Sequence, residues 1–208
     1  MGAARRSFDV HATSLTLTPM NFRLRHPGEG AALAETEAAA SFEAAFRACY
    51  AARFASLFSY LDRLTGDAEL AADAAQEAFV RLHRRGEMPD EPAGWLVAVA
   101  NNLVRDERRR VTRQLRLLGE EPSRAPSGSP APDAATDLER AEQIEAVRRA
   151  LDQLTLRDRQ ALLLKHGGYS YREIAAALGL AESSVGTTLV RAGRAFRAAF
   201  DPSIGLEA

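Results

Sequence analysis

Apolar positions in this chain recur at helical spacing, and few segments alternate as strands do, so the pattern predicts an all-α protein. From Ser41, which can cap a helix, Phe42, Phe46, Phe54, Leu57, Phe58, Leu61 and Leu64 give a broad apolar stripe. Thr65-Gly66-Asp67 then reads as a turn ending in a second N-cap. The next helix, Ala68 to Arg85, turns Leu70, Ala74, Ala78 (or Phe79) and Leu82 inward, and Asp73, Gln76, Glu77 and Arg81 outward. Its acids come early and its bases late, as the helix dipole favours. Gly86 stops it, a proline-bounded loop from Met88 to Pro92 follows, and Pro92 opens a third helix reaching about Leu118. The first half of that helix, GWLVAVANNLV, is apolar with two asparagines. Its second half, RDERRRVTRQLR, carries six arginines. A helix buried at one end and cationic at the other suits a phosphate backbone, and it also suits a solvated helix end.

Periodicity then lapses. Residues 119–135 hold four of the nine prolines and no apolar repeat, and read as a linker. Extended, such a segment reaches ~55 Å, against ~34 Å for one turn of DNA. Patterning resumes at about Thr136, where Leu138, Ile144, Val147, Leu151 and Leu154 line one helix. Thr155 to Asp158 then caps a short helix that stops at Gly167-Gly168. Ser170 and Glu173 form a capping box, Ile174, Ala175 and Leu178 give an apolar face, and Gly179 ends the helix. A last helix carries Val185, Leu189, Ala192, Phe196 and Phe200 on one stripe, and Ser183, Thr187, Arg191 and Arg194 on the opposite face. A short helix, a glycine turn and a second helix with a polar, arginine-bearing face is the pattern of a DNA-reading helix-turn-helix. A plain helical hairpin with solvated arginines shares it. Residues 1–40 are poorly patterned and are expected to form a flexible extension. The domain expectation is therefore an extension (1–40), a helical domain (41–118), a linker (119–135) and a helix-turn-helix domain (136–202).

Charge changes this picture only locally. The 208 residues carry a net charge of -1, low for a free-standing DNA binder. Arginines nevertheless cluster at 105–116 and 191–197 and acids at 67–77, as suits a protein touching DNA with some surfaces and a protein with another. The single cysteine, Cys49, reads as a buried thiol. His11, His26, His83 and His166 lack metal-ligand spacing, and no cofactor motif is present. No apolar run reaches membrane-spanning length. Arg5-Arg6 is followed by residues too polar for an export signal, and the expected compartment is the cytoplasm. No nucleophile–base pair points to an enzyme.

DAAQEAFVRLHRR, then GWLVAVANNLVRDERRR, then a proline-rich gap, then LTLRDRQALLLKHGGYSYREIAAALGLAESSVGTTLVRAGRAFR, resembles a bacterial sigma factor of the extracytoplasmic-function (ECF) type over about residues 41–200. The resemblance implies a dissociable specificity subunit of RNA polymerase. It implies docking on the polymerase clamp through Asp73, Gln76, Glu77 and Phe79, although Phe79 is equally suited to core packing. It implies capture and opening of the proximal promoter element by Trp95, Asn102, Arg105, Asp106, Arg108, Arg109 and Arg110, with Trp95 also suited to the core. Asparagine can offer donor and acceptor to an extruded base, and the arginines suit phosphates or a displaced strand. The distal element would be read as duplex by Ser183, Ser184, Thr187, Thr188, Arg191 and Arg194. Here the chain departs from the family: Gly186, Thr188 and Gly193 stand where basic residues are common. Many members are held by an anti-sigma partner clamping both domains, and the linker permits that folded-up state. A stand-alone helix-turn-helix regulator and a sigma-mimicking adaptor are the rival readings.

Overall fold

A computed structural model describes residues 29–118 and 135–200, with side chains described for 39–118 and 141–200. The chain divides into two units, Met1–Glu37 and Ala38–Ala208. The described residues form seven α-helices and no strand: α1 (Glu29–Thr65), α2 (Ala68–Arg85), α3 (Pro92–Leu118), α4 (Ala135–Asp152), α5 (Leu156–His166), α6 (Tyr171–Leu178) and α7 (Glu182–Ala199). The all-α expectation holds, and α2 and α3 have the limits read from their caps.

The start of α1 is a correction. The helix begins at Glu29, so Ser41 lies inside it and caps nothing, and residues 29–40 are helical rather than flexible. This stretch is rich in alanine and glutamate, strong helix formers that need no apolar stripe to be helical. The rest of the expected extension, residues 1–28, lies outside the described residues, as do linker residues 119–134.

Large side chains of α1 (Leu57, Tyr60, Leu61, Leu64) meet the small-residue face of α2 (Ala71, Ala74, Ala75, Ala78) and the apolar half of α3 (Leu96, Val97, Ala100, Val104). Alanines let the helices approach closely, and each fully buried leucine contributes ~1.5–3 kcal/mol. Asp67 caps α2 by accepting from the Leu70 N–H at 3.0 Å. The proline-bounded loop leads into α3, whose first helical hydrogen bond runs from the Trp95 N–H to the Glu91 carbonyl.

In the C-terminal part α4 and α5 pack on α7, and α6 packs on both α5 and α7. On α4 the small residues Ala146 and Ala150 are buried while Ile144 and Val147 are exposed, so the expected stripe faces inward only at its end, where Leu151 packs against the core and Leu154, just past the helix, is buried; the side chain of Leu138 lies outside the described residues. α7 ends at Ala199, with Phe200 beyond it stacked on Phe196. One buried cluster runs without a break from Leu57 and Leu96 through Leu164 and Tyr169 to Ile174 and Val185. The parts expected to be separate domains thus share a core, because α3 lies along α6 as well as along α2.

Candidate nucleic-acid and partner interfaces

The helix-turn-helix is set by local chemistry. Ser170 Oγ accepts from the Glu173 N–H at 3.2 Å, while Glu173 Oε2 accepts from the Ser170 N–H at 2.7 Å, closing the capping box that starts α6. Gly179 ends α6 at φ 63°, a left-handed conformation glycine adopts without a Cβ penalty. Ile174 and Val185 are fully buried and clamp the two helices together. Ser183, Ser184, Thr187, Arg191 and Arg194 are exposed on α7. Ala181 gives α7 no side-chain cap, and its carbonyl accepts from the Ser184 N–H at 2.9 Å.

Two residues of the expected distal reader behave differently. Thr188 is buried, and its hydroxyl donates to the Ser184 carbonyl at 2.9 Å, so it belongs to the α7 packing face. Threonine tolerates burial when its hydroxyl bonds back to the preceding turn. Arg191 is exposed over much of its length, but its guanidinium donates to Asp158 Oδ1 at 2.6 and 3.2 Å. Asp158 is buried and also accepts from the Thr155 hydroxyl at 2.9 Å. The Arg191 hydrogen bond holds the Asp158 carboxyl below its ordinary pKa, against the opposing effect of burial. Arg191 therefore fastens α7 to α5, and Arg194 is left as the expected reader arginine with no such tie to α5.

On α3 the change from apolar to cationic falls at two adjacent asparagines. Asn101 is buried and accepts from the Tyr60 hydroxyl at 3.0 Å, and burial pushes that phenol well above its ordinary pKa. Asn102 points outward and accepts from Arg105 at 3.3 Å. Arg105, Asp106, Arg108, Arg109 and Arg110 are all exposed. Arg110 pairs with Glu107 at 2.6 Å, Arg109 lies 3.8 Å from Asp106, and Arg108 donates to the Thr65 carbonyl at 3.2 Å. Arg105, Arg108, Arg109, Arg113 and Arg116 line one cleft of about 520 Å³ that, among the described residues, no carboxylate lines. Arg113 and Arg116 were not singled out from the sequence. Their signal is the i, i+3 and i+4 spacing from Arg109 and Arg113, which puts all three on one helical face. Trp95 is half-buried against the core, with the Arg85 guanidinium 5.9 Å from its ring centre.

On α2, Asp73 and Gln76 are exposed, and Glu77 is half-exposed and paired with Arg81 at 2.9 Å. Asp73 and Glu77 line a second cleft of about 1120 Å³, together with Arg110 and Arg148. Phe79 points the other way. It is buried with its ring edge-on to Phe46 and Tyr50 at 6.2 and 4.9 Å, which makes it a core residue and not part of the exposed acidic face. His83 sits at the exposed end of α2, 2.8 Å from Glu43 and edge-on to Phe46. Cys49 is half-buried, and burial raises its thiol pKa. Among the described residues no group of three or more His, Cys, Asp or Glu could hold a metal ion, and no helix is long and apolar enough to cross a membrane.

The arrangement is matched by known proteins. The family model for Sigma-70 region 2 matches residues 50–114, and that for Sigma-70, region 4 matches residues 144–195. The ECF RNA polymerase sigma factor SigL of Mycobacterium tuberculosis is 35% identical over 171 residues, covering 79% of this chain and 94% of SigL. The ECF RNA polymerase sigma factor SigE of Mycolicibacterium smegmatis is 33% identical over 140 residues, 65% of this chain and 53% of SigE. The fold is similar to that of the sigma factor RpoE of Bartonella quintana, solved with the anti-sigma factor NepR. The TM-score is 0.58 at 20% identity, covering 74% of this chain and 95% of that one. With both sigma regions present in order and a relative matched over nearly its whole length, the chain belongs to the ECF family of RNA polymerase sigma factors.

Proposed function

We propose that this chain binds core RNA polymerase and directs it to promoters, dividing the work among three surfaces. The exposed acids and amide of α2 (Asp73, Gln76 and Glu77) dock on polymerase. Their carboxylates are solvated or paired within the helix, so docking need not strand a buried charge, and the contact can release. α3 opens the proximal element. Asn102 stands at the head of the arginine face, where an unstacked base can meet its donor and acceptor. Extrusion costs a few kcal/mol per base, which contacts from Arg105, Arg109 and Arg113 to the strand offset. α7 meets the distal element as duplex through Ser183, Ser184, Thr187 and Arg194.

The observation that carries this reading is α3 itself: one helix anchored in the core by its apolar half presents Asn102 beside a cleft of arginines whose described lining residues include no acid. In this reading the chain contributes binding energy and the polymerase contributes catalysis, so its place of action is the cytoplasm. An inhibitor of the anti-sigma class belongs to the same proposal. It is supported by the structural similarity to a sigma factor that was solved with one.

The test is transcription by purified core polymerase with and without this protein on a library of genomic fragments. New start sites sharing two spaced elements are the expected result. Identical initiation in both reactions would refute the proposal.

A further inference from the structure

One outward residue of α7 has no role in the reading above. Val190 is 56% exposed. The other large apolar residues of α7 have packing partners: Val185 is fully buried, Leu189 packs against the core, and Phe196 stacks on Phe200. At ~100° per residue, Val190 falls ~160° from the buried Thr188 and Ala192 on either side of it, so it occupies the outermost line of the helix. On that line it stands ~20° from Ser183 and ~40° from Arg194, two of the residues assigned to the duplex. An isopropyl group there gains nothing from water, and its branched Cβ makes valine a poorer helix former than alanine.

The surroundings leave this group open. Its neighbours one turn before and after on the same flank, Gly186 and Gly193, have no side chain to fold over it. Close to their missing Cβ positions lie only the Tyr171 ring, at 3.7 Å, and the Arg197 guanidinium, at 3.8 Å, among the described residues. Val190 is thus an apolar spot edged by the Ser183 hydroxyl and by Arg194, both exposed.

The chemistry of the major groove narrows what such a spot can recognise. Base edges there offer hydrogen-bond donors and acceptors and one apolar substituent, the C5-methyl of thymine. Valine has neither donor nor acceptor to give. Against any other edge it would strip water from polar atoms without replacing their hydrogen bonds. We propose that Val190 is a specificity-determining residue that reads a thymine methyl in the distal element. This rests on the sigma-factor reading, in which α7 meets that element as duplex. The face has few other means of fixing a base at this point, because Arg191 is engaged by Asp158 and the two glycines bring no donor. One base pair is therefore chosen by methyl contact, with Ser183, Thr187 and Arg194 acting beside it. A methyl on C5 of cytosine stands at the same place in the groove, so methylated cytosine serves better there than cytosine.

The test uses the holoenzyme, core polymerase with the full chain, on a promoter taken from the fragment library. Each thymine of its distal element is replaced in turn by deoxyuridine, which removes the methyl and nothing else. One position should lose ~4-fold in affinity, the worth of one buried methyl. The penalty should vanish in Val190→Ala and remain in Val190→Ile. Val190 is exposed, so both variants should keep the parent melting temperature to within a few degrees. At the same position 5-methylcytosine should bind more tightly than cytosine with the parent chain, and equally with Val190→Ala. An element in which no deoxyuridine weakens binding would overturn the proposal. So would a penalty that survives Val190→Ala unchanged. A holoenzyme that starts transcription only where core polymerase alone does would instead refute the sigma-factor reading.

Discussion

α3 and α7 both present arginines to solvent, but they are built in opposite ways. α3 is long and anchored by one apolar half, and it carries six arginines in its other half. The acids beside them, Asp106 and Glu107, lie on the same helix and hold Arg109 and Arg110 only by exposed pairs. α7 is packed through Val185, Thr188 and Ala192. It bears fewer cations, and one of them, Arg191, is engaged by a buried aspartate of α5. Its remaining outward groups are mainly hydroxyls. Arginines on a solvated face hold phosphates whatever the sequence, whereas a helix with few charges discriminates through position and hydrogen bonding. In the proposed reading α3 supplies affinity and strand capture, and α7 supplies register.

The largest expected effect is on α3. Arg105→Ala, Arg109→Ala and Arg113→Ala together should weaken binding to single-stranded DNA of any sequence. They should also make the dependence of log affinity on log salt shallower by ~2, at ~0.7 for each lost single-strand phosphate contact. Titrations between low and moderate salt measure this, and an unchanged slope would remove α3 from the strand.

A smaller effect is expected at Arg191. If it fastens α7 to α5, Arg191→Ala should lower binding equally on matched and altered distal elements. Asp158→Asn should reproduce the accompanying loss of thermal stability, and the double variant should lose little more than either single one. A loss of roughly ten-fold confined to one base pair would make Arg191 a base reader instead. The same pair sets a pH dependence. Because the folded-state pKa of Asp158 is lowered, its contribution to stability is present above the ordinary aspartate value of about 3.9 and is lost as pH falls through the lowered value. Removing Arg191 should let that value rise, so acid unfolding should begin at a higher pH, as read by circular dichroism.

The smallest change is a gain. Gly186 on α7 has only Tyr171 near its missing Cβ, at an ordinary 3.7 Å. Gly186→Arg should fit, stabilise α7 by up to ~1 kcal/mol through helix propensity, and steepen the salt dependence on duplex DNA by ~0.9. Thermal melts and duplex titrations check both parts. A steeper slope without altered sequence preference would confirm that charge and register are separate contributions.

Features written in neighbouring residues were legible in the sequence, and those written across the chain were not. The limits of α2 and α3 follow from Asp67, Gly86 and Pro92, and the capping box of α6 from Ser170 and Glu173. Each is a local signal with a local cause. The early start of α1 escaped because residues 29–40 are helical by alanine propensity without an apolar stripe. The inward face of α4 was legible at Leu151 and Leu154 but not earlier, because the buried residues there, Ala146 and Ala150, are small, and counting large apolar side chains favours Ile144 and Val147. Thr188 counts as polar, yet its hydroxyl bonds its own helix. On α2 the outward set Asp73, Gln76 and Glu77 was legible from spacing, whereas the inward turn of Phe79 depended on Phe46 and Tyr50 from another helix. Nothing local announces that Gly94 faces Ala176, or that Arg53 meets Glu173.

The division of labour between α3 and α7 is tested most directly by comparing a fully duplex promoter with one whose opening region is already melted by mismatches, each transcribed by core polymerase with this chain. The defect of Asn102→Ala with Arg105→Ala should largely disappear on the melted template, while that of Thr187→Ala with Arg194→Ala should persist. Equal rescue of both pairs, or rescue of the α7 pair alone, would contradict the account.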